Sequence, residues 1–203
     1  MLFLLSTALA FDATSPAAEA VLDMEPRTTR AGFLKLQGPA LEHPDAAEAL
    51  AWRLAHVEEP LEVQAAVARA LAATGEAELV IDALAGQDHP EVRGPLLDGL
   101  RRADDAESLA ALRAELSSDH VDLRMEAARV LSYRADAGPA LVFALYDPAP
   151  EVRGTAARGI GWIDYDAGFD ALVPLLGDAD PEVVKHADRS LDRLDAARAA
   201  ELR

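Results

Sequence analysis

The chain has 203 residues, 51% of them hydrophobic and 27% charged, enough apolar content to bury the core of one good-sized domain. Nineteen Lys+Arg stand against 36 Asp+Glu, a formal charge of −17 that opposes binding to nucleic-acid phosphates or anionic membrane surfaces. The absence of cysteine excludes disulfides, thiolate zinc sites and cysteine nucleophiles, and no apolar stretch reaches the roughly 18–20 residues of a membrane span.

In chain order, residues 1–10 open an uncharged, mostly apolar stretch (MLFLLSTALAF), with Ala8-Leu9-Ala10 resembling a small-residue cleavage site. This reads as an export signal, although it is shorter than the roughly 15–30 residues expected and has no leading Lys or Arg. A misplaced start codon and a terminal segment docked on the fold stay open beside it. An exported or periplasmic location is slightly favoured over a cytoplasmic one. Residues 11–27 read as a polar tether with one short helical stretch.

From residue 59 the chain repeats. The anchors Val63, Val92, Leu123, Val152 and Val183 are spaced 29, 31, 29 and 31 residues apart. Four positions beyond them stand Val67, Leu96, Ala127, Ala156 and Ala187, and eight beyond stand Leu71, Leu100, Leu131, Ile160 and Leu191. The seventh position is small in all but one repeat: Ala70, Gly99, Val130, Gly159 and Ser190. Offsets of 0, 4, 7 and 8 mark one face of an α-helix. An acid precedes each anchor (Glu59, Asp88, Asp119, Asp147, Asp178), and Pro60, Pro90, Pro148, Pro150 and Pro181 lie in or just before the first turns. Gly75 and Gly161 are expected to close two of these helices. Pro95 lies about two turns into its helix and should bend it.

A second, shorter apolar stretch with leucines at helical spacing follows in each unit, as in Leu79–Leu84 and Leu109–Leu116. Neither helix buries its face alone, so the pairs must stack. The predicted fold is all-α: an α-solenoid of five to six helix–turn–helix repeats.

The run Asp147–Ala157 (DPAPEVRGTAA) resembles bacterial HEAT repeats, the short type first noted in phycobilisome lyases. The resemblance is strong over residues 59–194 and weaker over 28–58, where Phe33–Leu36 and Ala47–Leu54 look like a degenerate first pair. It places repeats at 59–87, 88–118, 119–146 and 147–177, with residues 178–203 as a single terminal capping helix. It further implies a ladder in which Arg93, Arg124 and Arg153 pair with turn acids of adjacent repeats, Asp88, Asp119 and Asp147. Gln64 and Val184 depart from that pattern at the two ends.

Charge divides between the helix types. The first helices (60–74, 89–102, 120–134, 148–161) hold nine arginines against six acids, whereas the second-helix segments (76–86, 104–116, 136–146, 164–177) hold eleven acids against Arg113 alone. In HEAT-like solenoids the second helices line the concave surface. Acids near helix starts, such as Asp104 and Asp105, are explained by the macrodipole. Glu78, Asp82, Glu107, Glu115 and Asp170 are left as candidates for binding a basic segment of a partner protein. Trp52 and Trp162 are candidate partner anchors. A solvent-facing column six positions past each anchor (Arg69, Asp98, Arg129, Arg158, Arg189) reads first as a solvated face.

His43, His56, His89, His120 and His186 show no metal-binding spacing, and no phosphate loop or nucleophile elbow occurs. His-Glu dipeptides, which di-iron HEAT-like hydroxylases repeat, are absent. The expected role is a non-enzymatic, monomeric protein-binding scaffold with no cofactor, catalytic or metal site and no nucleic-acid partner. The alternative by resemblance is a lyase-like or accessory factor acting on a bound tetrapyrrole and its carrier protein.

Overall fold

A computed structural model describes residues 16–23 and 44–202. The candidate export signal and Phe33–Leu36 lie outside these residues. The chain divides into two compact units, Met1–Gly99 and Leu100–Arg203. The first holds α1 (Pro16–Asp23), α2 (Pro44–His56), α3 (Leu61–Thr74), α4 (Ala77–Ala85) and α5 (Pro90–Gly99). The second opens with a 3₁₀ turn at Leu100–Arg102, then α6 (Ala106–Glu115), α7 (Val121–Leu131), α8 (Gly138–Ala144), α9 (Pro150–Trp162), α10 (Phe169–Leu172) and α11 (Pro181–Ala200). Further 3₁₀ turns precede α8 and flank α10, and the described residues contain no strand.

Helices of one kind stack on their own kind. In the first unit α3 packs against α5, and in the second α7 packs against α9 and α9 against α11. Every residue of the zero, fourth and eighth columns, from Val63 to Leu191, is buried. Within each unit these columns form an apolar stripe that each helix hides against its neighbours.

The small seventh column has a steric cause. A Cβ on Gly99 would lie 2.8 Å from the Cβ of Ala72 on α3, and one on Gly159 would collide with Ser132 just after α7. Helix backbones therefore approach at these points more closely than a side chain permits. Gly161 works the same way. It lies inside α9 rather than closing it, and a Cβ there would meet Ser190 Oγ at 2.5 Å and Ser190 Cα at 3.0 Å. Gly75 does close α3, in the left-handed conformation at φ 81°. α5 runs through Pro95 and is followed by the 3₁₀ turn at Leu100.

At the two ends, the short helical stretch expected within the tether is present, and the single terminal helix needs correction. The polar tether contains α1, whose Ala18 and Val21 are buried against α2. Arg53, itself buried, donates to the Val21 carbonyl at 2.6 Å and to Glu59 Oε1 at 2.6 and 3.2 Å, pinning α1, α2 and the α2–α3 turn together. At the other end, α11 is broken at Asp195 (φ −157°, ψ 94°). There the carboxylate accepts the Arg198 N–H at 3.0 Å and caps a new helical turn. That turn returns Arg198 to the Phe169 ring, 4.1 Å away, and to Asp170. The terminal segment is thus one first helix followed by the start of a second.

Candidate functional site

The turn acids do not cap the helices they precede. The N-cap positions of α3, α7 and α9 are Pro60, His120 and Ala149, none with a side-chain cap bond, while α11 is capped by Asp180. Asp147 and Asp178 instead fold the turns, accepting the N–H groups of Ala149 at 2.8 Å and Asp180 at 2.9 Å. The same carboxylates receive an arginine from the preceding repeat. Arg124 donates to Asp147 at 2.7 and 3.0 Å, and Arg153 donates to Asp178 twice at 2.8 Å. Their remaining Nη1 groups donate to carbonyls of their own turn, Ser118 at 2.9 Å and Asp147 at 2.9 Å. Arg93 donates to the carbonyls of Leu84 at 2.7 Å and Gln87 at 2.5 Å, and Gln64, in the same register, to that of Glu59 at 2.7 Å.

The pairing expected of Asp88, Asp119 and Asp147 is therefore shifted. Arg124 and Arg153 each reach the acid of the following repeat, so Asp178 belongs to the ladder, while Arg93 donates to turn carbonyls and Asp119 meets Arg124 through its carbonyl, at 3.5 Å. The hydrogen bonds from Arg153 hold Asp178 below the usual carboxylate range, and Asp178 in turn raises Arg153. Arg134, 5% exposed, is a tie that the sequence reading missed. It donates to the Ala103 carbonyl, to that of Asp105 at 3.1 Å, and to Asp136 at 3.0 and 3.1 Å. Nothing in the repeat columns marks it, because it lies just past the helix.

The second-helix candidates do not form one set. Glu78 and Asp82 are exposed one turn apart on α4, and Glu107 is exposed in the first turn of α6. None of the three makes an ion pair with a described residue. Glu115, at the end of α6, is 7% exposed and so unavailable to a partner. Asp170 is exposed but pairs with Arg198, a base from beyond the second-helix segments. Asp136 is likewise engaged by Arg134. Two of the eleven acids are thus neutralised by bases from outside the second-helix segments.

The second-helix side also carries apolar surface that charge counting could not reveal. Phe143 is 60% exposed and Tyr146 73%. Between α6 and α8 lies an open groove of about 440 Å³, lined by Ala110, Arg113, Ala114, Pro139 and Phe143 among others. Its α6 residues, Ala110, Arg113 and Ala114, sit at i, i+3 and i+4, which the sequence alone reads as helix surface.

The two tryptophans lie elsewhere. Trp52 is half-buried and stacks on His56 at 4.9 Å. Trp162, 47% exposed, stands at the end of a first helix with Arg158 at 4.7 Å over its ring and Tyr133 at 6.3 Å. His89 and His120 are exposed at the turns, and among the described residues no three His, Asp or Glu side chains converge as a metal site. No described helix is long and apolar enough to cross a membrane.

Residues 138–202 match the family described as HEAT repeats. No curated protein matches the chain. Among solved structures, an engineered protein is 20% identical with a TM-score of 0.56, the match covering 90% of this chain and 97% of that one. A designed armadillo repeat protein in complex with a (KR)4 peptide is 15% identical, with a TM-score of 0.60 over 88% of this chain and 98% of its own. The complex of CpcE and CpcF of phycocyanin lyase from Nostoc sp. PCC7120 is 19% identical, with a TM-score of 0.54 over 96% and 83%. At these identities the likeness is one of fold, and with the family match it makes this chain a repeat solenoid of the HEAT and armadillo type.

Proposed function

We propose that the protein is a non-enzymatic scaffold that takes a basic segment of a partner protein on the surface of its second helices. The observation that carries this reading is the exposed pair Glu78 and Asp82, one turn apart on α4 of the first unit and without an ion-pair partner among the described residues; in the second unit Glu107, on α6, is exposed and unpaired in the same sense. The α6–α8 groove adds an apolar seat, with Phe143 as the aromatic anchor that interfaces favour. A segment alternating basic and apolar side chains matches that surface. The reading is supported by the designed armadillo repeat protein of similar fold, which is in complex with a (KR)4 peptide.

The test is fluorescence anisotropy with a labelled (KR)4 peptide and a charge-reversed (ED)4 control, at low and high salt. The basic peptide should bind and weaken steeply as salt rises, since exposed charges are screened within about 10 Å at 0.1 M. The triple variant Glu78→Gln, Asp82→Asn, Glu107→Gln should lose most of that binding. Equal binding of the two peptides, or an unaffected triple variant, would overturn the reading. The lyase-like alternative draws on fold likeness to CpcE and CpcF alone, and a shifted bilin absorption band on mixing would favour it instead.

A further inference from the structure

The column six positions past each anchor changes character along the chain. In the first unit Arg69 lines a groove together with Glu62 and Glu91. Arg129 is held by Glu126 at 2.5 and 2.8 Å. In the last two repeats the arginines lose this company. Arg158 and Arg189 line a cleft of about 320 Å³ between α9 and α11, joined by Arg193, His186, Ser190 and Trp162. That is the low end of the volumes that hold small ligands. No acid lines it, in a chain of net charge −17.

Several features show a cleft short of an anion. Arg158 Nε is buried and has no hydrogen-bond partner. Its guanidinium carbon lies over the Trp162 ring, 4.7 Å from the centroid. Among the described residues Arg193 donates to the Gly161 carbonyl alone, at a long 3.5 Å. The neighbouring acid Glu182 is occupied by Lys185, at 2.8 and 2.9 Å. His186 is pushed below its ordinary value of 6.5, first by burial and then by Arg158, with Lys185 and Arg189 adding to it and Glu182 opposing. Clustered guanidiniums repel one another unless a counter-charge is shared among them.

We infer that the cleft walled by Arg158, Trp162, His186, Arg189 and Arg193 is a binding site for a dianionic oxyanion of the phosphate-ester class. Three guanidiniums favour a tetrahedral dianion over a carboxylate, because each presents a planar fork of donors and only the dianion offers enough oxygens and charge to engage several. Trp162 supplies a flat wall for an apolar or aromatic ester group. The site is built only from first helices, and so is independent of the second-helix surface proposed above.

The chain contains two tryptophans, so a Trp52→Phe variant leaves Trp162 as the sole indole reporter. Its fluorescence would be titrated with inorganic phosphate, phenyl phosphate and acetate at constant ionic strength, while NMR follows the His186 ring. Phosphate should give a saturable change and raise the His186 pKa, and phenyl phosphate should bind more tightly. Tighter binding of inorganic phosphate than of its ester would also support the oxyanion site but overturn the aromatic wall. Arg158→Gln and Arg189→Gln should each weaken binding about tenfold, whereas Arg69→Gln should not. Arg189 is exposed, so its variant tests the site even if Arg158→Gln fails to fold. Absence of saturation, acetate binding as tightly as phosphate, or unchanged affinity in Arg189→Gln would overturn the inference.

Discussion

Replacing Arg153 with alanine tests the ladder most directly. The side chain makes two 2.8 Å hydrogen bonds to Asp178 and donates Nη1 to the carbonyls of Asp147 at 2.9 Å and Pro148 at 3.0 Å. The paired side chains are 17% and 7% exposed. An exposed ion pair is worth at most about 1 kcal/mol, and breaking a buried one costs about 3–5 kcal/mol. The intermediate burial here places the loss at about 2–3 kcal/mol. For a chain of this size that lowers the thermal midpoint by about 5–10 °C, read by circular dichroism.

The pH dependence supplies an independent sign. The hydrogen bonds from Arg153 hold Asp178 below the ordinary carboxylate value of 3.8, so near and below that value the folded state binds fewer protons than the unfolded one. The stabilisation is therefore complete above about pH 4 and is lost as pH falls through the depressed value. The gap between wild type and Arg153→Ala should be full at pH 7 and shrink in acid. A double-mutant cycle with Asp178→Asn should return a coupling of about 1–2 kcal/mol. A loss below about 0.5 kcal/mol, additivity in the cycle, or a gap that persists unchanged in acid would refute the reasoning.

Gly161→Ala forces a Cβ to within 2.5 Å of Ser190 Oγ and should destabilise by about 1–3 kcal/mol, whereas Gly177→Ala, with nothing within 4 Å, should change the denaturation midpoint little. Gly75→Ala has equally open space, but its φ of 81° should cost about 1–2 kcal/mol, with Gly75→Asn milder in the same chemical denaturation. Asp195→Ala removes the cap on the last helical turn, at a cost of about 1 kcal/mol. Hydrogen exchange at residues 198–202 should then quicken while exchange in α9 stays as it was.

The sequence by itself determined the repeat and its helices, because a stripe at offsets 0, 4 and 8 can be buried only by a helix lying on another of its kind. Val63, Leu96 and Ile160 announce their burial by spacing alone. Local chemistry was equally legible where it acts within a few residues, as at Gly75 and Asp105, whose carboxylate accepts the Ser108 N–H at 2.7 Å.

Only the tertiary structure decided which charges are available, because that depends on side chains from distant positions. Arg198 reaches back 28 residues to engage Asp170, and Arg153 reaches forward 25 to Asp178. Glu115 and Glu107 lie on one helix, yet one is buried and the other exposed, a difference of helical face that counting acids does not register. The arginine cleft at Trp162 arises the same way. Arg158 and Arg189 are a repeat apart, and it is the stacking of α9 on α11 that sets them around one cavity.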